Sequence, residues 1–100
     1  MHIADVKLPS TWTTLESLIS TVESDATYVI VNSSPDDIYA IEGNEAPEDI
    51  IGIPVASGNY VTYKKGSQAN LYLRNAYSPV MASGIDTQNK LSNITINKVG

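Results

Sequence analysis

Apolar and polar positions alternate in short bursts through the middle of this chain. Ala26-Thr27-Tyr28-Val29-Ile30-Val31, Asp37-Ile38-Tyr39-Ala40-Ile41-Glu42, Ile50-Ile51-Gly52-Ile53-Pro54-Val55, Tyr60-Val61-Thr62-Tyr63 and Leu71-Tyr72-Leu73 follow one another. Between them lie Asn32-Ser33-Ser34-Pro35-Asp36, Gly43-Asn44-Glu45-Ala46-Pro47, Ser57-Gly58-Asn59 and Lys65-Gly66-Ser67. Runs of this length, rich in Val, Ile and Tyr and bounded by Gly, Pro, Asn and Ser, read as β-strands joined by turns. The run over 26–32 is nearly continuous in apolar character, which predicts a strand buried on both faces. A hairpin to 37–42 follows through Pro35. Pro54 cannot donate to a ladder, so 50–55 is an edge strand or irregular extended chain.

The flanks carry weaker patterns. Ala4, Val6 and Leu8 alternate with Ile3, Asp5 and Lys7, which predicts a first strand or an extended arm lying on another subunit; Pro9 ends it. The division drawn is therefore residues 1–9 as an N-terminal strand or arm and 10–100 as one β-domain. Thr13 and Glu16 stand at capping-box spacing, and Trp12, Leu15, Leu18, Ile19 and Val22 recur at helical spacing. The serines and threonines among them are poor helix formers, so one or two helical turns at most are expected over 13–22. From Asn75 to Asn89 no period is sustained, and a segment this long reads as a functional or partner-ordered loop. Leu91 to Val99 alternates again as a final strand. The sum is an all-β domain, a small sandwich or barrel of about seven to eight antiparallel strands.

Composition narrows the function classes. The 100 residues fit one domain, with no Cys for disulfides or thiolate metal sites, and no Phe, so Trp12 and six tyrosines carry the aromatic packing. A net charge of −5 argues against a partner that is nucleic acid or an anionic membrane, since both need clustered Lys and Arg. No signal peptide is expected from Met1–Lys7, and no run approaches the length that spans a bilayer.

Candidate chemistry is thin. His2 is the sole histidine, and with no Cys a Ser–His or Cys–His arrangement is not expected. Asp36, Asp37, Glu42, Glu45, Glu48 and Asp49 cluster in sequence; carboxylates of this kind can ligate a hard cation, but a solvated acidic rim is the preferred reading, with no metal and no cofactor. Most tyrosines are expected in the core or as cross-strand partners. A second function class is a carbohydrate-binding module that would use Tyr60, Tyr63 and Tyr72 as stacking faces.

Tyr28-Val29-Ile30-Val31-Asn32-Ser33-Ser34, Ile38-Tyr39-Ala40-Ile41-Glu42, Ala46-Pro47, Gly52-Ile53-Pro54-Val55, Gly58 and Asn70-Leu71-Tyr72-Leu73-Arg74, after a Trp-containing lead-in, together resemble small accessory virion proteins of tailed bacteriophages. The resemblance spans about residues 12–74 and lies in strand and turn residues. It implies a β-sandwich displayed in many copies on the particle: a non-enzymatic capsid decoration (cement) protein on the major capsid lattice. A minor head–tail or tail component is the alternative. The longer segment 78–90 and the polar last strand depart from that pattern.

A subunit of this kind needs contact surfaces rather than an active site. The interface residues expected from the sequence are Ile3, Val6 and Leu8 on the arm, Trp12 and Tyr77 as anchors, and Lys64, Lys65 and Arg74 as cations. Acidic loops over 36–49 facing those cations on another copy would make a head-to-tail homo-oligomer, with a trimer as first choice.

Overall fold

The computed structural model describes residues 1–48, 52–65, 69–76 and 91–99. The chain forms β1 (His2–Leu8), β2 (Thr13–Thr14), a one-turn helix α1 (Leu15–Ile19), β3 (Thr27–Asn32), β4 (Ile38–Gly43), β5 (Ile53–Val55), β6 (Tyr60–Lys64), β7 (Asn70–Asn75) and β8 (Ser92–Val99). All strand pairs are antiparallel, and they nest: β1 with β8, β2 with β7, β3 with β6, β4 with β5. Two further ladders, β3 with β8 and β4 with β7, roll the nested pairs into two four-stranded sheets. Their orders are β1-β8-β3-β6 and β2-β7-β4-β5. This nesting is the eight-stranded jelly roll, a form of β-sandwich. The expected all-β architecture holds.

Period-2 patterning makes the core. Tyr28 and Ile30 of β3, Ile38 and Ala40 of β4, Leu71 and Leu73 of β7, and Ile94 and Ile96 of β8 point between the sheets and are buried. Leu8, Leu15, Val55 and Tyr63 close the same cluster. The two core tyrosines keep their hydroxyls bonded, as burial requires. Tyr28 Oη accepts from the Glu23 N–H at 2.8 Å, and Tyr63 Oη donates to the Ala69 carbonyl at 2.6 Å. Only one face of β3 is deeply buried; Thr27, Val29 and Val31 on its other face are half-buried, because nothing among the described residues forms a second layer over that sheet.

Two local expectations shift by a residue. The helix is capped by Thr14, whose Oγ1 accepts from the Ser17 N–H at 3.2 Å, and not by Thr13. Thr13 pairs with Leu73 in β2, and Glu16 turns outward to Lys65. In β1 an extra residue sits between His2 and Ala4, which pair with Asn97 and Ile96. This bulge breaks the alternation and lets Ile3 pack against the core, although parity put it outside with Asp5 and Lys7.

Two buried asparagines pin the strand ends. Asn32, 0% exposed, donates through Nδ2 to the carbonyls of Asp36 (2.7 Å) and Val55 (2.8 Å). Its Oδ1 accepts from the Ser34 N–H and hydroxyl at 3.0 and 2.6 Å. The β3–β4 turn is thereby tied to the end of β5. Asn75 donates through Nδ2 to the Leu8 carbonyl at 3.0 Å, and its backbone N–H to Pro9 at 2.9 Å, joining β7 to the end of β1 across the two sheets.

Candidate docking surfaces

The outer face of the β2-β7-β4-β5 sheet gathers the aromatic and guanidinium groups. Arg74 of β7 pairs with Tyr39 of β4, and Tyr39 pairs with Pro54 of β5. On the other side of Arg74, directly before β2, the Trp12 ring lies 5.8 Å from the guanidinium carbon. The result is one row across the sheet, Trp12, Arg74, Tyr39, Pro54. A second row, Thr14, Tyr72 and Ile41, runs beside it. Trp12, Tyr39, Ile41 and Tyr72 are half-buried and Pro54 is exposed. Arg74 is only 6% exposed, and its Nε donates to the Asn75 carbonyl at 3.0 Å. Burial pushes the guanidinium below its ordinary pKa, with the nearby Tyr39 acting in the opposite direction. It remains a cation at any physiological pH. Trp, Tyr and Arg are enriched among the residues that dominate binding energy at protein interfaces.

A second surface lies where the sheets end side by side. β5 and β6 are the edge strands of the two sheets and follow one another through the turn at 56–59. Ile53 and Tyr60 there are 61% and 64% exposed. They line a groove of about 200 Å³ with Pro54, Val55, Asn59 and Val61.

On the other sheet, the outer face over β1 and β8 is polar and internally bonded. His2 Nε2 lies 3.3 Å from Asp5 Oδ1, which accepts from Thr95 Oγ1 at 2.8 Å. Thr95 Oγ1 is also 3.0 Å from Ser33 Oγ. Its single proton goes to Asp5, so Ser33 donates to Thr95. The Thr95 bond is the main reason the Asp5 carboxyl titrates below its usual range, with His2 adding to it. In this chain the carboxylate stands between imidazole and hydroxyl. A nucleophile relay needs the imidazole in the middle. Among the described residues no three His, Asp or Glu side chains converge as metal ligands.

The structure separates the residues expected to form interfaces. Leu8 is fully buried, and Ile3 and Val6 pack on the core, so the inward side chains of the first run are spent inside the chain. Trp12 and Arg74 are brought together, which spacing could not show. Lys65 is ion-paired with Glu16, and Lys64 is exposed on β6. Two of the three cations drawn into the head-to-tail ring are thus engaged within the chain. Tyr77, Asp49 and the segment 77–90 lie outside the described residues. The stacking trio Tyr60, Tyr63 and Tyr72 does not share a surface: Tyr63 is core, Tyr60 is on an edge, and Tyr72 is on the opposite sheet. Sequence reasoning missed Tyr39, Ile41 and Pro54 as members of the face on which Trp12 lies. The signal was present in β4, where Tyr39 and Ile41 share the parity opposite to Ile38 and Ala40.

No protein-family model, curated protein or solved structure matches this chain.

Proposed function

We propose that this protein is a non-enzymatic structural subunit of a tailed-bacteriophage virion, a capsid decoration protein that binds the major capsid lattice and stabilises the head. The virion setting rests on the resemblance over residues 12–74. The observation that supports a contact role is the row Trp12, Arg74, Tyr39, Pro54, three of them on paired strands and Trp12 directly before β2. A lattice-binding face needs preordered anchors, because every side chain immobilised on docking weakens binding. Here the Trp12 ring and the Arg74 guanidinium are already fixed against each other. The jelly roll also serves viral capsid and lectin domains, which makes the reading compatible with the fold without assigning it.

The test is addition of the purified protein to phage heads lacking it. The proposal predicts saturable binding that raises the temperature at which the heads release DNA. Tyr39→Ser, on the outward side of β4, should weaken that binding at least tenfold while leaving the far-ultraviolet circular dichroism unchanged. Equal binding by this variant would remove the proposed face, and no binding by the native chain would remove the proposed role.

A further inference from the structure

We infer that β6 is a self-association edge, through which two copies pair antiparallel about a two-fold axis at Thr62. A jelly roll of two open sheets has four edge strands, and an unprotected edge recruits another strand. Three of the four edges here are blunted. β1 carries a bulge and the outward charges Asp5 and Lys7. β2 is two residues long, and β5 is three residues long with Pro54 in its middle. β6 has five residues, no proline and no register break against β3. Among the described residues nothing pairs with its other side.

The ladder fixes which backbone groups are free. Just beyond the two ends of the β3–β6 register, the Asn32 N–H donates to the Asn59 carbonyl and the Lys65 N–H to the Ala26 carbonyl, so both flanking positions are hydrogen-bonded ones. Hydrogen-bonded pairs alternate along an antiparallel ladder. Val61 and Tyr63 therefore spend their N–H and C=O on Ile30 and Tyr28. The groups of Tyr60, Thr62 and Lys64 point away from the sheet.

That pattern is self-complementary. With the axis at Thr62, the two Thr62 residues exchange both hydrogen bonds. Tyr60 of each copy then exchanges bonds with Lys64 of the other. On the outer face each Lys64 lies against a tyrosine ring rather than a second lysine, and Thr62 meets Thr62, a favourable cross-strand pair. On the inner side Val61 meets Tyr63. This register engages all five residues, and no like charges oppose. It also places partner atoms over the edge where Tyr60 and Ile53, two of the largest exposed apolar side chains, stand open. The product is an eight-stranded sheet running β1-β8-β3-β6 into its symmetry copy. This inference stands independently of the virion role.

The experiment is sedimentation equilibrium of the full chain at high micromolar concentration, with three substitutions at Thr62. The native chain should behave as a species of about twice 10.8 kDa. Thr62→Pro removes an N–H that no described residue accepts, at the kind of edge position where proline is tolerated, and should give the single-chain mass. Thr62→Lys and Thr62→Glu place like charges on the axis, so each alone should be monomeric. Mixed in equal amounts, these two should recover the doubled mass. A native chain that stays monomeric, or Lys and Glu variants that remain dimers alone, would overturn the inference; if the proline variant unfolds, the charged pair decides.

Discussion

The Arg74 guanidinium and the Trp12 ring, 62 positions apart in sequence, lie 5.8 Å from each other on the outer face of one sheet. The contact exists because the two-residue strand β2 pairs with β7, placing Trp12 beside Arg74. Trp12→Ala should therefore act on both stability and the proposed docking face. A half-buried indole over a guanidinium contributes its apolar area plus about 0.5–2 kcal/mol of cation–π attraction. We expect a loss of about 2 kcal/mol in urea unfolding followed by circular dichroism, since the sole tryptophan is removed. An unchanged midpoint would mean that the ring contributes nothing to the fold.

Much of the sandwich was legible and the docking face was not, for a definite reason. The apolar runs 26–31 and 38–41 and the alternation in Ile94–Asn97 give strands from local sequence, but the unbroken run over 26–31 hid that only Tyr28, Ile30 and Asn32 of β3 are deeply buried. Which strands become neighbours depends on β2–β7 and β1–β8 pairing, which no local period encodes. The bulge at the start of β1 hid Ile3, because one inserted residue inverts the parity of everything before it. The cap moved from Thr13 to Thr14 because strand pairing to Leu73 outcompeted the capping-box spacing. Asn32 and Asn75 read as turn residues, yet both are fully buried tertiary ties.

Asn32 supplies a sharp chemical test. Asn32→Asp keeps the shape but removes both Nδ2 donors and aims a carboxylate at the Asp36 and Val55 carbonyls. Losing such buried bonds costs about 3 kcal/mol or more. Burial raises the folded pKa of the introduced acid above its unfolded value. The penalty is then smallest below the unfolded pKa and grows as pH rises. Urea unfolding from pH 4 to 7 should show the variant losing stability relative to the native chain across that window. A pH-independent difference would contradict the burial of this side chain.

Two glycines should respond differently to alanine. Both have positive φ, +110° at Gly52 and +82° at Gly58. A Cβ at Gly52 would lie 2.5 Å from the Ala40 carbonyl oxygen, a backbone atom, whereas at Gly58 it meets open space. Gly58→Ala should cost only the left-handed penalty of about 1–2 kcal/mol. Gly52→Ala should cost clearly more, since β5 must shift against β4. Thermal unfolding of the pair checks the order, and equal midpoints would contradict the close approach.

Asp5 gives a pH dependence with a fixed sign. Its folded pKa is lowered below 3.8, first by the Thr95 hydroxyl and then by His2. Its contribution is therefore present above the unfolded pKa and is lost as pH falls through the lower folded value. Thr95→Val removes the main cause, so the Asp5 titration midpoint, followed by carboxyl carbon NMR, should move upward. A midpoint unmoved by Thr95→Val would show that the hydroxyl does not hold the carboxylate.

The central proposal is that this chain is bound into a virus particle. Its most direct measurement is quantitative mass spectrometry of purified tailed-phage virions made in cells that carry this gene, with heads and tails separated. The account predicts the protein in the head fraction, in a fixed ratio to the major capsid protein. Its absence from purified particles would contradict the account.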